Sequence, residues 1–152
     1  SHRGINMPDA ISEPMGCYCL GYLWNRGDEV GDATDPNTGR KIEFKATSRF
    51  EGDLSSFGPK CVFDDLVFLR FKLDENLLYI YDLNINSEEF GKYPANKTQT
   101  IQEQKNQGRR PHVSLQTLFV DANNLEPDII FDIRRCKAYN RVSEYYQRLI
   151  GK

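Results

Sequence analysis

The sequence predicts an α/β fold with a small central mixed β-sheet flanked by helices. Two β-branched and aromatic runs, "DDLVFLRFKL" (64–73) and "LLYIYDLNI" (77–85), supply the sheet's centre, joined by the turn residues Asp74-Glu75-Asn76. A charged hairpin precedes them, and apolar segments of helical character lie near both ends of the chain.

Taken in order, Ser12-Glu13-Pro14 reads as the start of a helix through Met15 to Trp24, with Ser12 as cap and Pro14 in the first turn. The run is apolar almost all round, so a buried helix is expected, stopped by Asn25-Arg26-Gly27. Strands over Glu29 to Thr34 and Arg40 to Thr47 follow, joined by Asp35-Pro36-Asn37-Thr38-Gly39. Residues 50–60, with Gly52, Gly58 and Pro59, read as loop with room for one helical turn. Beyond Asn86 comes a long polar segment rich in Gln and Asn, expected as loop or solvated helix. "VSLQTLFVD" and "DIIFDI" return to the core, and Val142, Tyr145, Tyr146 and Leu149 repeat at helical spacing before Ile150.

A chain of 152 residues fits one domain with a real core. Its 39% hydrophobic and 28% charged residues exclude a disordered or membrane chain, and its net charge of -2 a wholly basic nucleic-acid coat protein. Without a membrane-spanning run, signal or transit peptide, a cytoplasmic location is expected. Ser1 and His2 are assigned no role, and the missing initiator Met leaves room for a longer parent chain. The four cysteines are too sparse for a disulfide scaffold, and Cys17-x-Cys19 lacks zinc-knuckle spacing, so all four are expected as reduced core residues. The net charge of -2 hides an uneven distribution, with acids around the hairpin and Arg134, Arg135, Lys137, Arg141, Arg148 and Lys152 near the end.

The hairpin "GDATDPNTGRKIEFKAT" (31–47) carries the chemistry. Side chains alternate along a strand, so Ile42, Phe44 and Ala46 turn toward the core while Lys41, Glu43 and Lys45 share the other face. With Pro36 to Gly39 as a four-residue loop, Asp35 pairs with Arg40 and Asp32 falls opposite Glu43. Opposed residues have Cβ atoms about 5 Å apart, and two carboxylates so placed repel unless a proton or cation lies between them. A hard oxygen site of one or two carboxylates suits Mg²⁺, with a phosphate completing its shell. Lys45 adds a cation beside it, able to orient water or stabilise charge on a phosphodiester in reaction. The same residues also fit an ordinary solvent-facing strand.

Asp32, ten intervening residues, then Glu43-Phe44-Lys45 resembles the PD-(D/E)xK nuclease superfamily, in particular its Type II restriction endonucleases. The resemblance spans about residues 9–85 and implies a restriction-endonuclease-like core. It implies that Asp32, Glu43 and the Phe44 carbonyl bind Mg²⁺, with Mn²⁺ able to substitute, and that Lys45 serves the attacking water. Glu13 matches the helix Glu that many members bring to the metal's outer shell, though a first-turn acid favoured by the helix dipole explains it equally well. Gly31 replaces the motif's Pro. The expected partner is double-stranded DNA bound by a homodimer, with a cognate DNA methyltransferase as a separate protein.

Base edges are read by Arg, Lys, Asn and Gln, which concentrate between Asn96 and Arg110 within the polar segment 86–114, the expected DNA-recognition element. Gln102, Gln104, Asn106, Gln107, Arg109 and Arg110 are therefore candidates for base contact, and Arg134 and Arg135 for phosphate contact; a plain polar loop is the alternative. The whole chain, 1–152, is expected to be one nuclease domain. A structure-selective repair nuclease and a non-catalytic DNA-binding module remain rival readings.

Overall fold

The computed structural model describes residues 7–27 and 29–151. Helix α1 (Asp9–Leu20) leads into short strands β1 (Leu23–Trp24) and β2 (Ala33–Thr34), then β3 (Lys41–Thr47) and β4 (Ser55–Ser56). The apolar runs form β5 (Asp65–Lys72) and β6 (Leu77–Asp82) about a tight turn in which Asn76 takes φ 55. Two short helices, α2 (Ser87–Gly91) and α3 (Ile101–Asn106), lie in the polar segment, followed by β7 (His112–Val113) and a π-helical stretch, Gln116–Asp121. Strands β8 (Ile129–Asp132) and β9 (Lys137–Tyr139) and helix α4 (Val142–Ile150) end the fold.

Seven strands form one mixed sheet in the order β1-β2-β3-β5-β6-β8-β9, with β3 and β5 parallel and the other pairs antiparallel. Parallel neighbours need a crossover, and residues 48–64 supply it, carrying β4 out to pair with β7. Strand β5 is buried along Asp65–Phe71 because both sheet faces are covered. Val67, Leu69 and Phe71 pack in a cluster with Cys17 of α1 and Phe44, while Leu66 and Phe68 join Phe57, Phe90, Ile101, Leu115 and Phe119 on the other side.

Several expectations change. The first helix starts three residues before Ser12, with Pro8 in the cap position, and ends at Gly21, whose φ of 74 suits glycine. Leu23–Trp24 is therefore strand, and α1 leaves Ile11 and Tyr18 exposed, so only one face is covered. Ala46 is exposed although Ile42 and Phe44 reach the core. The segment after Asn86 is more than solvated loop: Phe90 and Ile101 are fully buried and help cover the sheet's second face. A few well-spaced apolar residues suffice for that among many polar ones. In α4, Val142 and Tyr145 are half-buried while Tyr146 and Leu149 are exposed. The cysteines are all free, but Cys136 is exposed. Among the described residues no helix is long and apolar enough to cross a membrane.

Candidate active site

Strand β2 pairs with β3 through Ala33↔Ile42 and Thr34↔Lys41, and the Asp35 N–H donates to the Arg40 carbonyl at 3.0 Å. The ladder ends at Ala33↔Ile42, and the Asp32 N–H then donates to the Ile42 carbonyl at 2.8 Å. The Phe44 N–H donates to Asp32 Oδ2 at 2.8 Å, so the Asp32 carboxylate occupies the strand edge where the short β2 ends. N–H and C=O of one strand residue point to the same edge, which directs the Phe44 carbonyl to that side as well.

Glu43 and Lys45 project from the face opposite Phe44, with Lys45 Nζ 3.6 Å from Glu43 Oε2. Lys45 Nζ also lies 4.7 Å from the centre of the Phe57 ring, which supports it from one side. Glu13 of α1 accepts a hydrogen bond from Trp24 Nε1 at 3.0 Å, fixing it toward the same place. Being the fifth residue of the helix, it lies past the first turn, which weakens the dipole explanation. Asp9, Glu13, Asp32, Glu43, Lys45 and Arg110 line one open cleft of about 330 Å³.

The acids are held in an environment that disfavours their charge. Burial, then the Asp32 charge, pushes Glu43 up to about 7, while a thiol hydrogen bond from Cys61 acts the other way. Burial also raises Asp32, opposed by the Phe44 N–H, and the two carboxyls hydrogen-bond each other. Glu13 rises to about 7, chiefly through burial, with Trp24 opposing and Asp32 adding. Two carboxyls that share a proton when alone form a donor set that a divalent cation fits, since it replaces the proton. Among the described residues no three His, Cys, Asp or Glu side chains close on one point. The set that fits a hard cation is therefore two carboxylates and a backbone carbonyl, with water and phosphate for the rest.

The recognition candidates divide. Gln102 and Asn106 are exposed on α3 and joined by a 2.8 Å hydrogen bond. Gln107 and Arg109 are exposed too, with Arg109 Nη1 donating to Gln99 at 3.0 Å. Gln104 is only 6% exposed and its amide donates to Gln99, so it braces the segment from inside. Arg110 turns away from this group into the cleft, donating from Nε to Ser56 Oγ at 3.3 Å. Arg134 and Arg135 sit in the turn between β8 and β9, with Arg135 paired to Asp132 at 3.1 Å. That places them three strands from β3, about 14 Å across the sheet at standard spacing, and they do not join the cleft.

Sequence reasoning passed over Asp9 and the cleft position of Arg110. Asp9 had a signal, because it stands four residues before Glu13 and so shares its helix face. Arg110 had none, because only the β4–β7 pairing brings it to Ser56.

A model of the Bsp6I restriction endonuclease family matches residues 1–122. The chain belongs to this family. The Type II restriction enzyme Bsp6I of Bacillus sp. (strain RFL6) is 43% identical over 136 residues, spanning 90% of this chain and 78% of that protein. No solved structure matches. The family match covers the whole cleft, α1 through Arg110, and stops at the start of the final α/β elements.

Proposed function

We propose that the chain is a Mg²⁺-dependent, site-specific endonuclease of double-stranded DNA with a PD-(D/E)xK centre. One observation carries this reading: Asp32, Glu43 and Lys45 line one cleft open to solvent, with Asp32 Oδ2 on the Phe44 N–H and Lys45 Nζ 3.6 Å from Glu43. Membership of a restriction endonuclease family and the likeness to a Type II restriction enzyme support the reaction and its substrate.

Asp32, Glu43 and the Phe44 carbonyl would hold the metal, and Glu13 would reach its water shell. When bound, Mg²⁺ supplies Lewis acidity to the phosphate and lowers the pKa of a neighbouring water. Lys45 holds its ammonium over the same face as Glu43, where it orients the attacking water and offsets the charge that builds on phosphorus oxygens. Phe57 and the β-strand frame keep that ammonium from swinging away. Glu13, held by Trp24, keeps an acceptor for water at the cleft's rim.

Residues 1–152 work as one nuclease domain in which the outer surface of 86–114 meets the DNA. Gln102, Asn106, Gln107 and Arg109 are the base-reading side chains, and their mutual hydrogen bonds pre-order them for it. A two-fold protein reads a two-fold site most simply, so the working form is a homodimer, with protection of host DNA left to a separate methyltransferase. Incubation with a long duplex tests the core claim. Mg²⁺ or Mn²⁺ gives discrete fragments and EDTA abolishes them; DNA binding without metal-dependent cleavage overturns it in favour of a binding module.

A further inference from the structure

We propose that Arg110 grips a phosphate of the DNA strand being cut, at or beside the reacting bond, and does not read a base. This rests on the nuclease reading of the cleft. Adjacent arginines at the end of the recognition segment look interchangeable in the sequence, yet the structure sends them to different places. Arg109 lies among the amides of Gln99 and Gln107 on the outer surface. Arg110 lines the cleft with Asp32, Glu43 and Lys45.

Its position is built by backbone as well as side chain. Strand β7 pairs with β4 through Ser56↔His112 and Ser55↔Val113, and the Phe57 N–H donates to the Pro111 carbonyl at 3.1 Å. These bonds fix the chain on both sides of the cleft wall, so the Arg110 stem leaves from a rigid point. Ser56 Oγ then accepts from Nε at 3.3 Å, which ties the guanidinium to the cleft wall. Gly58 keeps room for it, since a Cβ there would stand 3.2 Å from Arg110 Nη1. No ion pair among the described residues includes Arg110. A planar cation in a cleft lined by Asp9, Glu13, Asp32 and Glu43, yet paired with none of them, is poised for an external anion.

A phosphodiester is that anion. Lys45 approaches it from β3 as a compact charge, while Arg110 comes from β7's side with a fork that fits two oxygens. Arg110 also stands next in the chain to the base-reading group, so correct seating of Arg109 and its neighbours would bring Arg110 onto the phosphate. Recognition and cleavage then share a backbone.

The test uses the full chain, the cut site mapped on a long duplex, and synthetic duplexes carrying that site or single base-pair changes in it. Single-turnover cleavage by R110A falls about 10²- to 10³-fold, the loss typical of one donor to transition-state charge. The fall is the same on the mapped site and on weakly cut variants, so sequence preference is unchanged. A methylphosphonate scan then finds one position near the cut that slows the wild type but adds nothing to the R110A defect. If R110A does not fold, judged by its thermal midpoint, R110Q keeps an amide for Ser56 and gives the same pattern. Wild-type rates for R110A, or lost discrimination at one base pair, would overturn the proposal and restore a base-reading arginine. Failure of the wild type to cut any duplex would instead sink the nuclease reading itself.

Discussion

Two pairs of acids meet on this sheet, and they have opposite fates. Asp32 and Glu43 meet at an open cleft, where Lys45 Nζ stands 3.6 Å from Glu43 and the Phe44 N–H donates to Asp32 at 2.8 Å. Asp65 and Asp82 meet diagonally across β5 and β6, where Val67 pairs with Asp82, and Asp65 is wholly buried. Burial, then the hydrogen bond and charge of Asp82, pushes Asp65 up to about 8, so near neutrality it carries a proton. Its Oδ1 accepts from the N–H groups of Leu66 and Ile85 and stitches the start of β5 to the chain leaving β6. The lesson is that proximity of two carboxyls does not define a metal site. The first pair faces an open cleft with the Lys45 ammonium beside Glu43, whereas Asp65 is closed off from solvent and Arg40 only partly opposes its upward shift.

Substitution separates the pairs most sharply. D32N, E43Q and K45A each lower single-turnover cleavage on the order of 10³-fold or more, because the groups act as a unit, while E13Q costs about 10- to 100-fold as an outer-shell group. D65N cuts within a few-fold of wild type, since asparagine replaces a carboxyl that is already neutral. Cleavage by D65N as poor as that by D32N would erase the distinction.

A smaller effect is read in stability. The folded pKa of Asp65 is raised from 3.8 to about 8, so the folded protein retains a proton that the unfolded chain releases. The stabilisation from this group is complete below about 4 and is lost as pH climbs through about 8. The thermal midpoint of wild type therefore drops relative to D65N between those limits. A midpoint difference that stays flat across this range would show that Asp65 is charged in the fold.

The smallest effects belong to the other charges of the hairpin. Lys41 donates to Thr34 Oγ1 at 3.0 Å and stands 4.0 Å from Glu29, and Asp35 accepts from the Asn37 N–H in the turn. K41A and D35A should keep near-normal cleavage and lose about 1 kcal/mol or less in denaturant unfolding, as exposed pairs and turns do. Inactivity of K41A to the level of K45A would mean that the face occupied by Glu43 extends along the strand, and the cleft would have to be redrawn.

The sequence by itself determined the hairpin. Turn residues fixed the loop at Pro36 to Gly39, period-two alternation put Glu43 and Lys45 on one face, and the count across the turn set Thr34 against Lys41 and Ala33 against Ile42. These are local rules, each acting over a few residues. The α/β class followed for the same reason, since the apolar runs of β5 and β6 are long and flanked by clear turn residues. The start of α1 was less legible, because Ser12 has the chemistry of a cap but lies inside a helix begun at Pro8. Only the tertiary structure decided what distant segments do. Phe90 and Ile101 look like isolated apolar residues in polar surroundings until the second face of the sheet gathers them. Asp65 reads as half of an ordinary acidic dipeptide until burial gives it a proton. Arg109 and Arg110 are identical neighbours in the chain, and the pairing of β4 with β7 alone sends one outward and the other into the cleft. Contacts between residues far apart in sequence depend on how the whole chain packs, which no short stretch of residues encodes.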